Sequence, residues 1–212
     1  MKTDDLIVAL TADVGTVSAP IKRTLWLAAG VGTVGAAILF FAILGPRPDL
    51  AASLADPRFL FKWLLTLTLL ASAMVLVLQL ARPETVPGGK FLALVAAPAL
   101  LAVGIGAELI SLPSSDWVRN LVGLNALFCV VFIPVLSALP LAALIYALQQ
   151  GAPARPTLAG AVAGLAAAGI GATLYASHCR DDSSLFMGVW YVIAVAIVSL
   201  AGAILGARLL RW

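Results

Sequence analysis

Six apolar runs, each about as long as the 20 residues a helix needs to cross a bilayer core, dominate this chain of 212 residues. They lie near residues 25–44, 64–81, 91–110, 121–148, 158–176 and 189–207, and the only charge inside them is Glu108, close to one end of the third. Backbone that crosses hydrocarbon must satisfy its own hydrogen bonds, which leaves helices or a closed barrel. Barrel strands would alternate polar and apolar positions over about ten residues. No such alternation is present, so the sequence predicts an all-α integral membrane bundle of six transmembrane helices. Composition agrees: 62% of residues are hydrophobic and 11% charged, against about 45–50% and 25% in soluble domains. The first run follows about 24 residues and exceeds the 7–15 of a cleavable leader, so it is expected to stay in the membrane as an anchor.

The polar ends of these runs set the expected topology. Trp26, Trp63, Trp117, Trp190 and Trp212 all fall at predicted span ends, where amphipathic rings favour the headgroup zone. Lys2, Lys22, Arg23, Arg82, Lys90, Arg155, Arg208 and Arg211 lie on one side, and Arg47, Arg58, Lys62, Arg119 and Arg180 on the other. Positively charged loops stay in the cytoplasm, which predicts cytoplasmic termini and places residues 177–183 outside. Domain organisation then reads as a cytoplasmic tail, 1–24, and a membrane domain, 25–212. In the tail, Leu6, Ile7, Leu10 and Val14 recur at helical spacing, with Thr3 as a cap and Asp4 and Asp5 in the first turn. Through Ala19 its side chains hold one Lys against three Asp, which suits a protein groove better than an anionic membrane surface. Folding of this helix back onto its own bundle is the plainer alternative.

Most features of the spans read as packing. Gly160 and Gly164, Ala168 and Ala172, and Gly202 and Gly206 are small residues four apart, a spacing that lets membrane helices approach closely. Pro98, Pro134 and Pro140 each remove a backbone donor and tend to bend their helices. Glu108 and Asn125 are the polar residues in or near the bilayer that call for a functional reading, although Glu108 is close enough to its span end to be solvated. The segment "DLAASLAD" between the first two spans can form a short surface helix, and no function attaches to it. No HExxH, Walker loop, CxxC or nucleophile–base spacing is present, and nothing basic and aromatic suggests direct contact with nucleic acid. The chain is expected not to be an enzyme and to need no cofactor.

Reactive chemistry concentrates in "YASHCRDDSSLFMGVWY", residues 175–191, which holds the one His of the chain, His178, beside Cys179, one of two cysteines. Cys129 lies near the start of the fourth predicted span and Cys179 just past the end of the fifth, so both belong to the same membrane face. The fourth run is 28 residues long, about 12 Å more helix than a core of about 30 Å requires. Protrusion of that surplus would bring Cys129 level with Cys179 and within reach of a disulfide. Several readings remain open: a disulfide, a thiol pair that senses oxidants, a soft metal site completed by His178, Asp181 and Asp182, or small apolar filler. His178 and Arg180 beside Cys179 are groups able to stabilise a thiolate.

The start "MKTDDLIVALTADV", the six-span layout, "NALFCVVFIPVLSALPL" and above all "HCRDDSSLFMGVWY" resemble the NrsF family of bacterial inner-membrane anti-sigma factors, over essentially the whole chain. One departure is Ser184, where the family pattern leads us to expect Pro. The resemblance implies that the chain holds an extracytoplasmic-function (ECF) sigma factor inactive at the membrane and releases it under stress. It also implies that the cysteine pair is needed for the response. Asp4, Asp5, Leu6, Ile7 and Leu10 are then the candidate partner-binding residues, and Cys129, Cys179, His178, Asp181 and Asp182 the candidate sensing residues. Two other classes stay in view. A thiol protein passing electrons to a lipid quinone would want a second reactive pair or a cofactor site, and a small-solute transporter would want polar residues at mid-bilayer.

Overall fold

The computed structural model describes residues 20–82 and 89–211. Residues 1–19, with Asp4, Asp5, Leu6, Ile7 and Leu10, lie outside the described residues. Six helices are long and apolar enough to cross a membrane, and no strand occurs among the described residues. They are α1 (Ile21–Ile43), α3 (Pro57–Leu80), α4 (Phe91–Ser111), α6 (Ala126–Gln149), α7 (Pro156–Ala176) and α8 (Ser184–Leu209). Two short helices, α2 (Leu50–Ser53) and α5 (Trp117–Val122), lie in the connections at the end of the bundle that carries Cys179.

Local chemistry fixes the helix starts at that end. Asp56 accepts a bond of 2.9 Å from the Arg58 amide, and Pro57, which has no amide hydrogen to strand, opens α3. The Ser183 hydroxyl caps α8 by accepting from the amides of Leu185 and Phe186 at 3.2 and 3.4 Å. The next residues, Met187–Tyr191, widen into a π-helical stretch before the α-helix resumes; π-turns of this kind concentrate at functional sites.

The bundle is built around α7, which packs against α8, α3 and α6, while α1 rests on α6 and α4 on α3. Small residues make this possible. A Cβ on Gly160 would sit 2.2 Å from the Gly202 carbonyl oxygen, and one on Gly202 would sit 2.3 Å from that of Gly160. The two helices therefore meet backbone to backbone, as the spacing of Gly160, Gly164, Gly202 and Gly206 predicts. Ala168 and Ala172 are fully buried farther along α7. Two buried clusters result. One, around Leu25, Leu76, Leu144 and Leu148, fills the half of the bundle away from Cys179. The other gathers Cys129, Cys179, Tyr175, Phe186, Met187 and Tyr191.

The structure revises several boundaries. The first membrane helix begins at Ile21, four residues ahead of the apolar run at 25–44. "DLAASLAD" does contain a short helix, Leu50–Ser53. The fourth apolar run is not one long helix: α5 ends at Gly123, which adopts φ +59°, and α6 starts only at Ala126. Positive φ is readily reached by Gly alone, so this residue breaks an otherwise continuous apolar stretch. Cys129 reaches its level as the fourth residue of a shorter helix, not through a protruding one. Trp190 also differs from a simple interfacial anchor, because its indole N–H donates to the Leu121 carbonyl at 2.9 Å and ties α8 to α5.

This packing predicts that Gly202→Ala destabilises the bundle by about 1–3 kcal/mol, the usual cost of overpacking. Gly30→Ala, whose added methyl would meet nothing within 4 Å, should be neutral. Thermal unfolding in detergent compares the two, and equal midpoints would contradict the close α7–α8 contact.

Candidate functional site

Three connections converge on the segment His178–Ser183 and hold Cys179 inside the protein. The deepest comes from α3. Lys62, in the second turn of that helix, is 0% exposed. Its ammonium donates to the Cys179 carbonyl at 2.9 Å and the Asp181 carbonyl at 3.2 Å, and it pairs with the Asp182 carboxylate. All three ammonium hydrogens thus have an acceptor. Its charge also faces the Phe59 ring, 5.8 Å from the centroid.

The second connection comes from the α1–α3 segment. Arg47 binds the other oxygen of Asp182 at 2.8 Å and forks onto Asp49 at 2.9 and 2.7 Å, while its amide donates to the Ser177 carbonyl at 3.0 Å. Hydrogen bonding to Arg47 holds the Asp49 carboxyl down at about 2. Because that value lies below the ordinary 3.8, this pair contributes fully above about pH 4 and is lost as pH falls through about 2. Asp182 is therefore shared by two cations, a buried one and a nearly buried one. Beside it, His178 Nδ1 lies 2.9 Å from the Gly45 carbonyl oxygen.

The third connection runs to α6. Asp181 accepts from the Leu124 amide at 3.1 Å and from the amide and side-chain nitrogen of Asn125, each at 2.9 Å. It thereby binds the segment that opens α6, one turn before Cys129. Gly123 fits beneath it, since a Cβ there would lie 3.0 Å from Asp181 Cγ and 2.5 Å from the Phe186 ring. Asn125 thus has a structural task at a helix start.

Both cysteines are buried and unpaired. They belong to one apolar cluster, so the structure brings Cys129 and Cys179 together. Burial pushes the Cys179 thiol above its ordinary range, against the opposing pull of Lys62. The charge that favours a thiolate here is Lys62, not the sequence neighbours His178 and Arg180. Among the described residues, no three His, Cys, Asp or Glu side chains gather as a metal ion would require. His178, Asp181 and Asp182 diverge from Cys179 toward Gly45, Asn125 and Lys62, each engaged elsewhere.

Glu108 is not solvated at its helix end. It is 6% exposed, and one carboxylate oxygen accepts the Leu185 amide at 3.1 Å, at the start of α8. Among the described residues, its other oxygen and the Tyr191 hydroxyl are buried without a hydrogen-bond partner.

Residues 10–212 match the family described as "Negative regulator of sigma F", NrsF. Two relatives align over 100% of this chain and 100% of their own length, each 36% identical. They are the "Probable anti-sigma-F factor NrsF" of Azospira oryzae and the "Anti-sigma-F factor NrsF" of Caulobacter vibrioides. The chain belongs to the NrsF family. No solved structure matches it.

Within this NrsF chain, sequence reasoning named the residues of the Cys179 loop but missed Lys62 and Arg47, the cations that organise it. The available signal was Lys62 itself, an ionisable residue against the start of an apolar run, where a named partner should be sought. Removing one member of such a buried pair strands the other and costs about 3–5 kcal/mol. Lys62→Met and Asp182→Asn should each destabilise on that scale, and the double variant should fall short of their sum by about 0.5–3 kcal/mol. Denaturation of the four proteins in detergent measures this, and strict additivity would contradict a direct pair.

Proposed function

We propose that this NrsF chain is a membrane-bound anti-sigma factor that sequesters an ECF sigma factor and releases it when the Cys129–Cys179 site reacts with an oxidant or a soft metal ion. The observation that carries the reading is the end-to-end match to two proteins named anti-sigma-F factors. A regulatory, non-catalytic role agrees with the absence of a recognised catalytic motif in the sequence. In this reading both termini face the cytoplasm of the inner membrane, residues 1–23 form the main partner contact, and the Cys179 end faces outward.

The burial of the two thiols in one cluster supports their acting as a unit. Joining them as a disulfide transfers two electrons to a two-electron oxidant and releases two protons. It would link the loop that Lys62 and Arg47 hold to the first turn of α6. A signal shifts binding only if the two cysteine states favour different bundle conformations. The bonds from Asp181 to the start of α6, and from Lys62 to the Cys179 carbonyl, supply the contacts through which such a difference is felt.

The test uses a reporter of sigma-dependent transcription together with co-purification. Leu6→Asp with Leu10→Asp should leave the protein in the membrane and free the partner, since each lost apolar anchor is worth about 1.5–3 kcal/mol. Cys129→Ser or Cys179→Ser should keep inhibition but abolish release by oxidant or metal, and the double variant should be no worse than either single one. Unchanged co-purification in the first case would move the partner site to the cytoplasmic loops. Full induction in the double Ser variant would refute the thiol sensor. Labelling of Thr3→Cys by an impermeant thiol reagent in intact cells would refute the orientation.

A further inference from the structure

The two thiols of the buried cluster do not have equivalent surroundings. Cys129, the fourth residue of α6, is fully enclosed in the apolar cluster, its amide bonded to the Asn125 carbonyl at 2.9 Å. Cys179 lies against the hydroxyl of Tyr175, a residue in the last turn of α7 that is also fully enclosed. Among the described residues that hydroxyl has no other partner. The Tyr175 ring packs against His178 and Tyr191, with centroids 6.2 and 6.1 Å away, which keeps the hydroxyl aimed in one direction.

The thiol hydrogen of Cys179 has its own acceptor in the Asp181 carbonyl, a long contact of 3.9 Å. The phenol hydrogen is then the one that faces the sulfur, since a thiol is the weaker donor of the two. Without that acceptor the buried phenol would carry an unpaired donor, at the full cost of its desolvation. A donor aimed at sulfur gains strength as negative charge gathers there, and the thiolate is the form that attacks an electrophile. Lys62 adds to the asymmetry, because its ammonium donates to the carbonyl of Cys179 itself at 2.9 Å. The contact is also local. The Cys179 amide is bonded to the Tyr175 carbonyl at 3.0 Å, so phenol and thiol stay together when the loop opens, while Cys129 remains on α6.

We propose that Cys179 is the attacking thiol of the pair and Cys129 the resolving one, with Tyr175 as the positioning residue that sets this order. The assignment deepens the thiol-sensor reading and rests on it for the reagent, a hydroperoxide. The Cys179 sulfur attacks one peroxide oxygen: an S–O bond forms, the O–O bond breaks, and the leaving oxygen takes the thiol proton and departs as alcohol or water. Cys179 is then a sulfenic acid. The Cys129 sulfur attacks it, an S–S bond replaces the S–O bond, and hydroxide leaves as water with the Cys129 proton. Two electrons have passed from the thiols to the peroxide.

The experiment uses the full reduced chain in phosphatidylcholine nanodiscs, hydrogen peroxide as oxidant and dimedone to trap the sulfenic acid, with mass spectrometry to locate the adduct. Cys129→Ser should accumulate the adduct at Cys179, and Cys179→Ser should form one at Cys129 more slowly. Adding Tyr175→Phe to Cys129→Ser should slow the Cys179 adduct about three- to tenfold, because a hydrogen bond to a charged group is lost and a less stabilised thiolate, being the better nucleophile, recovers part of the loss. Tyr191→Phe in the same background removes a hydroxyl that has no partner among the described residues and should not slow it. A merely structural Tyr175 would instead lower the unfolding midpoint and speed the labelling. If peroxide marks neither thiol, the oxidant reading fails, and the order in which methyl methanethiosulfonate modifies the two cysteines of the wild-type chain decides the assignment by itself. Faster reaction at Cys129 with either reagent, or an unchanged rate at Cys179 in the Tyr175→Phe variant, overturns the assignment.

Discussion

A lysine ammonium enclosed in a membrane bundle needs compensation for the water it gives up, and here that compensation is the loop carrying Cys179. Desolvating such an ion costs several kcal/mol even after relaxation. Lys62 recovers this through two backbone carbonyls and the Asp182 carboxylate, and all three acceptors come from Cys179–Asp182. The loop therefore cannot leave without stranding the charge, and the charge cannot be accommodated without the loop. Arg47 completes the arrangement from the other side, so that Asp182 joins the α1–α3 segment, α3 and the α7–α8 connection at one point.

This constraint explains why two thiols that are far apart in sequence share one apolar cluster. Cys179 follows directly on the last turn of α7, its amide bonded to Tyr175 at 3.0 Å, and Lys62 holds its carbonyl. Asp181, two residues on, binds the segment that begins α6, and Cys129 is one turn further along that helix. The same few residues that neutralise Lys62 thus set the position of Cys179 relative to Cys129. Burial pushes the Cys179 thiol above its ordinary range, against the pull of Lys62. A thiol enclosed in this way is unreactive while it stays buried.

The fold was legible because its signal is long and redundant. Six apolar runs of bilayer length define six helices whatever their packing, and glycines four apart on two of them marked faces fit for close helix approach, without saying that the two faces meet each other. That the two cysteines could lie at one level followed from counting spans, and they do share one cluster, although the expected cause, a protruding fourth helix, was wrong. An uninterrupted apolar run from 121 to 148 does not show that Gly123 divides it, since Gly is tolerated inside membrane helices. Lys62, Arg47 and Glu108 were illegible for a related reason. A charge at the margin of an apolar run reads the same whether it reaches water or folds inward, and their partners lie up to 135 residues away in sequence. Asp181 and Asp182 were recognised as loop residues, but their partners could not be named from spacing.

The central claim, that Lys62 holds the Cys179 loop in place, is tested most directly by amide hydrogen exchange across residues 177–186, in the wild-type chain and in Lys62→Met. Exchange reports local opening free energies. With the ammonium gone, the amides of Cys179, Leu185 and Phe186 should exchange at least about a hundredfold faster, a change of about 2.7 kcal/mol, while the α7–α8 contact near Gly160 and Gly202 stays protected. Unchanged exchange in the loop would contradict the claim.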